Sequence, residues 1–108
     1  MKTTLSYIDA IKLRHGIESD YAVAKLLGVT RGAVSSYRVG RSFFDDLTAL
    51  RAAELLGLNP LEVIAAANAE RAKSDDARRT WTGLWDKLAV NFDLRRRYFR
   101  VGRGFALA

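Results

Sequence analysis

The sequence predicts an all-α fold: five short helices, then a sixth C-terminal helix and a tail. Three observations predict it. Apolar residues recur at three- and four-residue spacing over most of the 108 positions. No two-residue alternation bounded by turns occurs, apart from Tyr98-Phe99-Arg100-Val101, which fits either a short strand or a helix end. Helix-starting and helix-stopping residues punctuate the periodic segments, and with a single proline little of the chain is committed to irregular structure.

The first helix is expected from about Leu5 to Arg14, with Leu5, Ile8 and Ile11 as its apolar stripe and Gly16 as its stop. Ser19 caps a second helix whose first turn carries Asp20, an acid suited to the positive helix end. Ala22, Val23, Leu26 and Leu27 form its buried face, and Gly28 ends it in a left-handed backbone. Thr30 caps a third helix to about Tyr37, with Val34 and Tyr37 inward, and Gly40 closes it. Asp45 or Asp46 opens a fourth helix with Leu47, Leu50, Ala53 and Leu56 inward, stopped by Gly57. Asn59-Pro60 is a cap followed by proline in the first turn. The fifth helix places Leu61, Ile64 and Ala67 inward and runs to about Lys73. Ser74-Asp75-Asp76 marks a boundary between residues 1–74 and 75–108. A sixth helix to about Ala89 puts Trp81, Leu84, Trp85 and Leu88 on one stripe.

Bulk properties narrow the function classes. Hydrophobic residues at 49% and charged residues at 28% fit a folded domain. There is no cysteine, hence no disulfide framework and no thiolate metal site, and a cytoplasmic location is expected. No apolar run is long enough to span a membrane, and the N-terminal residues lack the apolar core of a secretory signal. His15 is the lone histidine, so no metal site is expected. Asp45-Asp46 and Asp75-Asp76 sit at helix starts, with no nucleophile or base assembled around them, so no enzyme and no cofactor is expected.

The net charge of +6 suits a polyanionic partner, and its distribution says more. Residues 1–44 carry a net +4, residues 45–74 a net −2, and residues 75–108 a net +4. The two ends, not the middle, are therefore the parts suited to phosphates.

The most informative segment is DYAVAKLLGVTRGAVSSYRVG, residues 20–40. Two short helices crossing through a tight turn need a small residue at the crossing, here Ala24, and a glycine at the turn, here Gly28. Val29 and Val34 pin the pair, while Val23, Leu27 and Tyr37 join it to the remaining helices. Arg31, Gly32, Ser35, Ser36 and Arg38 are left outside, a small, polar, positive face that fits a DNA major groove about 12 Å wide. The segment resembles the helix-turn-helix of the lambda-repressor-like family, which includes phage Cro and cI proteins and XRE-type regulators. Ala24, Gly28, Val29, Val34, Tyr37 and Gly40 carry the resemblance, which spans about residues 5–70. It implies a five-helix DNA-binding domain, to which this chain adds the segment after residue 74.

The resemblance also implies roles. Arg31, Gly32 and Ser36 stand where the family meets base edges. Arg31 is suited to the O6 and N7 of guanine, Ser36 discriminates weakly, and Gly32 gives close backbone approach or room for a thymine methyl. Thr30, Ser35, Arg38 and Arg41 are placed for phosphates. The family often has glutamine where this chain has Asp20, which a phosphate would repel; the Tyr21 hydroxyl is expected to substitute.

The stripe Trp81, Leu84, Trp85 and Leu88 fits either the domain's own core or a subunit interface. Because five helices already close a core, and DNA readers of this type bind as symmetric dimers, a homodimer interface is expected, with Phe92, Tyr98, Phe99 and Phe105 extending it. Arg95-Arg96-Arg97, Arg100 and Arg103 read as a solvated cluster or a tail adding phosphate contacts. The expectation is a sequence-specific regulator binding double-stranded DNA, a phage- or prophage-type repressor. The alternative is an antitoxin or protein-interaction module in which the C-terminal helix holds a protein partner.

Overall fold

The computed structural model describes residues 1–101, with side chains through residue 89. These residues form six helices and no strand: α1 (Thr4–His15), α2 (Asp20–Leu27), α3 (Arg31–Arg38), α4 (Asp46–Leu56), α5 (Pro60–Arg71) and α6 (Asp75–Val101). The stretch Tyr98–Val101 is therefore helical rather than a strand, because α6 continues past Ala89. None of the described helices is long and apolar enough to cross a membrane.

The caps set the boundaries. Thr3, Ser19, Thr30, Asp45 and Asn59 each accept a backbone N–H of the helix they precede. Each such cap contributes about 1 kcal/mol by satisfying an otherwise orphaned donor. Gly28 ends α2 at φ 74°, a conformation that costs residues with a Cβ, and its N–H returns to the Ala24 and Lys25 carbonyls.

One core joins the first five helices. Tyr7, Ile8 and Ile11 enter it from α1, Val23, Ala24 and Leu27 from α2, and Val34 and Tyr37 from α3. Ala49, Ala52, Ala53 and Leu56 enter from α4, and Val63, Ala66 and Ala67 from α5. Phe44, in the α3–α4 connection, is fully buried and meets Tyr37 edge to face at 5.4 Å.

Two helices present a different face from the expected one. In α4 the buried residues are Thr48, Ala49, Ala52, Ala53 and Leu56, while Leu47 is 75% exposed. The helix lies between α1 and α5, and alanines permit the close spacing that leucines would prevent. In α5, Leu61 is 56% exposed and Val63 is buried instead. α5 is covered on two sides, by α4 and by α6, so its buried face is broad and small-residued. It ends at Arg71, two positions short of Lys73.

Buried polar groups form a seam between α1, α5 and α6. Glu70 Oε1 accepts from the Thr4 amide at 2.9 Å and from its hydroxyl at 2.7 Å. A carboxylate thus sits on an orphan donor at the positive end of α1. The Thr4 hydroxyl also accepts from the Phe44 amide at 3.2 Å. Tyr7 donates its hydroxyl to Glu62 Oε2 at 3.2 Å and accepts from the Trp85 indole N–H at 3.1 Å. Burial pushes the Tyr7 phenol well above its ordinary range.

Candidate nucleic-acid interface

α2 and α3 are joined by Gly28, Val29 and Thr30, and they pack on each other. Ala24 is buried beneath the turn, Val34 is fully buried, and Val29 packs partly buried against the same core. The apolar positions of α3 therefore all point inward. Arg31, Gly32 and Ser35 are exposed, with Ser36 half-buried at the edge of the same face. The Thr30 hydroxyl accepts from the Ala33 amide at 3.0 Å, which leaves its own hydrogen free to donate. Arg41 is exposed, and its backbone N–H closes the end of α3 on the Ser36 carbonyl at 2.9 Å.

Arg31 also reaches across to α2. Its guanidinium carbon lies 5.4 Å from the centre of the Tyr21 ring, and Lys25 Nζ lies 5.3 Å from that centre. Tyr21 is thus a surface aromatic flanked by two cations. Among the described residues, Arg31, Lys25 and Arg41 form no ion pair. Lys25 is absent from the sequence-based site, although its position one helical turn after Tyr21 puts the two on one face of α2.

Arg38 has a different setting from the one expected. Its Nε and Nη2 donate to the two oxygens of Asp20 at 3.2 and 2.9 Å, and Nη1 reaches Asp9 at 3.5 Å. Lys12 Nζ completes the cluster 2.8 Å from Asp20 Oδ1. The hydrogen bonds from Arg38, then from Lys12, hold the Asp20 carboxyl down at about 2. Asp20 is therefore an internal anchor whose charge is offset, not a bare acid facing a phosphate. Arg38, expected at a phosphate, is thus paired with two carboxylates in the chain by itself. Asp9 and Lys12 lie one turn or less apart on α1, and nothing in their spacing signals a partner eight or more residues away.

The C-terminal stripe divides. Trp85 packs partly buried against the core and donates to Tyr7, so at least part of its surface is used within the domain. Trp81 and Leu88 are half-buried and Leu84 is 39% exposed. The side chains of Phe92, Tyr98, Phe99 and Phe105 and of Arg95, Arg96, Arg97, Arg100 and Arg103 lie outside the described residues. His15, considered for metal, places Nε2 2.9 Å from the Leu55 carbonyl, tying the end of α1 to α4.

No family model matches the chain. No solved structure matches it significantly. The uncharacterized protein Gp-c of Pseudoalteromonas phage PM2 is 33% identical over 84 residues, covering 73% of this chain and 90% of the phage protein. The chain belongs to the family of Gp-c. Nine-tenths of Gp-c is matched, so the likeness extends over most of a phage protein and well beyond the α2–α3 unit.

Proposed function

We propose that this member of the Gp-c family is a sequence-specific DNA-binding regulator with a lambda-repressor-like helix-turn-helix, acting as a repressor in a phage or prophage. One observation carries the reading. The exposed face of α3 is small and polar, and it is bordered by Arg31, Lys25 and Arg41, which have no ion-pair partner among the described residues. Such a face enters a major groove without obstruction and brings donors for base edges and phosphates. The phage relative supports the setting.

In this reading Arg31 reads guanine, Ser36 assists at the edge, and Gly32 lets the backbone come close. The Thr30 hydroxyl, Ser35 and Arg41 meet phosphates. Arg38 orients α3 through Asp20. A second copy of the chain joins through the Trp81, Leu84 and Leu88 side of α6, so that two recognition helices face successive half-sites.

Selection of bound duplexes from a random pool by the purified protein tests the reading. The expected result is one enriched palindromic sequence. Arg31→Ala then weakens its binding by about 1–3 kcal/mol, the worth of a bidentate base contact. Absence of enrichment, or an Arg31→Ala variant that binds like wild type, removes the proposal.

A further inference from the structure

We infer that Tyr21 acts through its ring rather than its hydroxyl, holding Arg31 and Lys25 on one surface so that they meet an anionic DNA site together; this rests on the DNA-binding reading above. The ring belongs to the first turn of α2, Lys25 follows four residues later, and Arg31 opens α3. Both cationic groups lie within the roughly 6 Å at which a ring face attracts a cation. The ring therefore links the start of α3 to α2 on the surface, separately from the Asp20–Arg38 pair.

Two further points favour the ring. Tyr21 is 53% exposed, and its hydroxyl has no hydrogen-bond partner among the described residues. The domain's folding thus makes no use of the polar end. Gathering two cations at one ring also opposes their mutual repulsion, and no carboxylate pairs with either to relieve it. An anion brought to that surface relieves it. Arginine fixed beforehand gives up less side-chain freedom on contact, so the ring makes Arg31 a better reader without touching the base itself.

The test compares Tyr21→Phe, Tyr21→Leu and Arg31→Ala in the full chain. Two duplexes serve as probes: the one selected from a random pool and a scrambled one of equal length. A DNA-free measurement accompanies them, the proton shifts of the Lys25 ε-methylene and Arg31 δ-methylene groups, which a nearby ring face moves upfield. The expected result is that Tyr21→Phe keeps both the shifts and the affinity. Tyr21→Leu loses the shifts and binds the selected duplex roughly three- to fivefold more weakly, the scale of an exposed cation–ring contact. Its salt dependence stays that of wild type, because no charge has been removed, whereas Arg31→Ala lowers the slope by about one.

Equal losses in Tyr21→Phe and Tyr21→Leu would assign the effect to the hydroxyl and overturn the inference. So would a Tyr21→Leu variant with wild-type affinity, or a wild type without the upfield shifts. If Arg31→Ala also binds as wild type, it is the DNA-binding reading that has failed. Thermal unfolding of each variant separates these results from loss of fold.

Discussion

Asp20 and Arg38 close a two-pronged pair, 3.2 and 2.9 Å, that ties the first turn of α2 to the last turn of α3. Lys12 and Asp9 extend it to α1. Three helices are thereby fixed at one point. The pair is partly exposed, so its worth comes from geometry and from being shared among several groups rather than from a strong isolated attraction.

The Asp20 carboxyl titrates at about 2 in the folded chain, below its ordinary value of 3.8. A depressed folded value means that the pair's contribution is complete above about pH 4 and fades as pH falls toward 2. Asp20→Asn is expected to cost about 1 kcal/mol or less at neutral pH, given the exposure of the site. Its acid limb should also be shallower than that of wild type over the same interval. Urea unfolding at a series of pH values measures both. An Asp20→Asn variant with unchanged acid dependence shows that other carboxylates, Asp45 and Asp46 among them, carry the acid sensitivity.

Gly32 offers a sharper separation of fold from function. A Cβ there meets only the Thr30 hydroxyl oxygen, at 3.7 Å, an ordinary contact. The backbone is helical, so nothing in the fold requires glycine. Gly32→Ala should stabilise the protein by about 0.5–1 kcal/mol through helix propensity and a less flexible unfolded chain. If the α3 backbone must approach a base pair closely, the same variant binds its selected duplex more weakly. Denaturant unfolding and gel-shift titration together decide it. Stability gained with affinity unchanged removes close approach as the reason for the glycine.

The helices and their boundaries were legible because their caps are local. Ser19, Thr30, Asn59 and the glycines after α1, α2 and α4 act within a few residues of themselves. The exposed face of α3 was legible for the same reason, since its inward positions are filled by Val34 and Tyr37. What periodicity could not give was which side of a helix meets two neighbours. α4 and α5 each do, so alanines displaced Leu47 and Leu61 from the buried faces. Partners far apart in sequence were equally hidden. Arg38 was open to a phosphate until folding set Asp20 and Asp9 beside it, and Trp85 was an orphan indole until Tyr7 received its N–H.

Phe44 illustrates the same limit and gives a stability test. It lies between helices, outside any periodic stripe, yet it is fully buried. Its amide donates to Thr4, its carbonyl accepts from Arg71 at 2.6 Å, and its ring meets Tyr37 edge to face. Phe44→Ala is expected to cost about 3–5 kcal/mol, a cavity plus lost transfer energy. That loss is a large fraction of the roughly 5–15 kcal/mol that holds a domain of this size folded. Phe44→Leu, which keeps most of the volume, should cost about half as much. A loss below 1 kcal/mol for Phe44→Ala, measured by denaturant unfolding, would show that the α3–α4 connection is not part of the core.

The stripe on α6 makes opposite predictions for two residues one position apart. Trp85 is packed on the core and donates to Tyr7, whose hydroxyl passes on to buried Glu62. Trp85→Ala leaves that hydroxyl one donor short and opens a void beneath α6, so it should cost about 2–4 kcal/mol in the isolated chain. Leu84 is 39% exposed and completes nothing inside the domain. Leu84→Glu should change the stability of the isolated chain by about 0.5 kcal/mol or less, as exposed substitutions do. If a second copy packs on this side of α6, Leu84→Glu places an unpaired charge in that contact, and the dimer dissociates. Sedimentation at micromolar concentration is the measurement. A dimeric wild type with a monomeric, folded Leu84→Glu variant assigns Leu84 to the interface and Trp85 to the core. A wild type that sediments as a monomer removes the interface, and the length of α6 then needs another explanation.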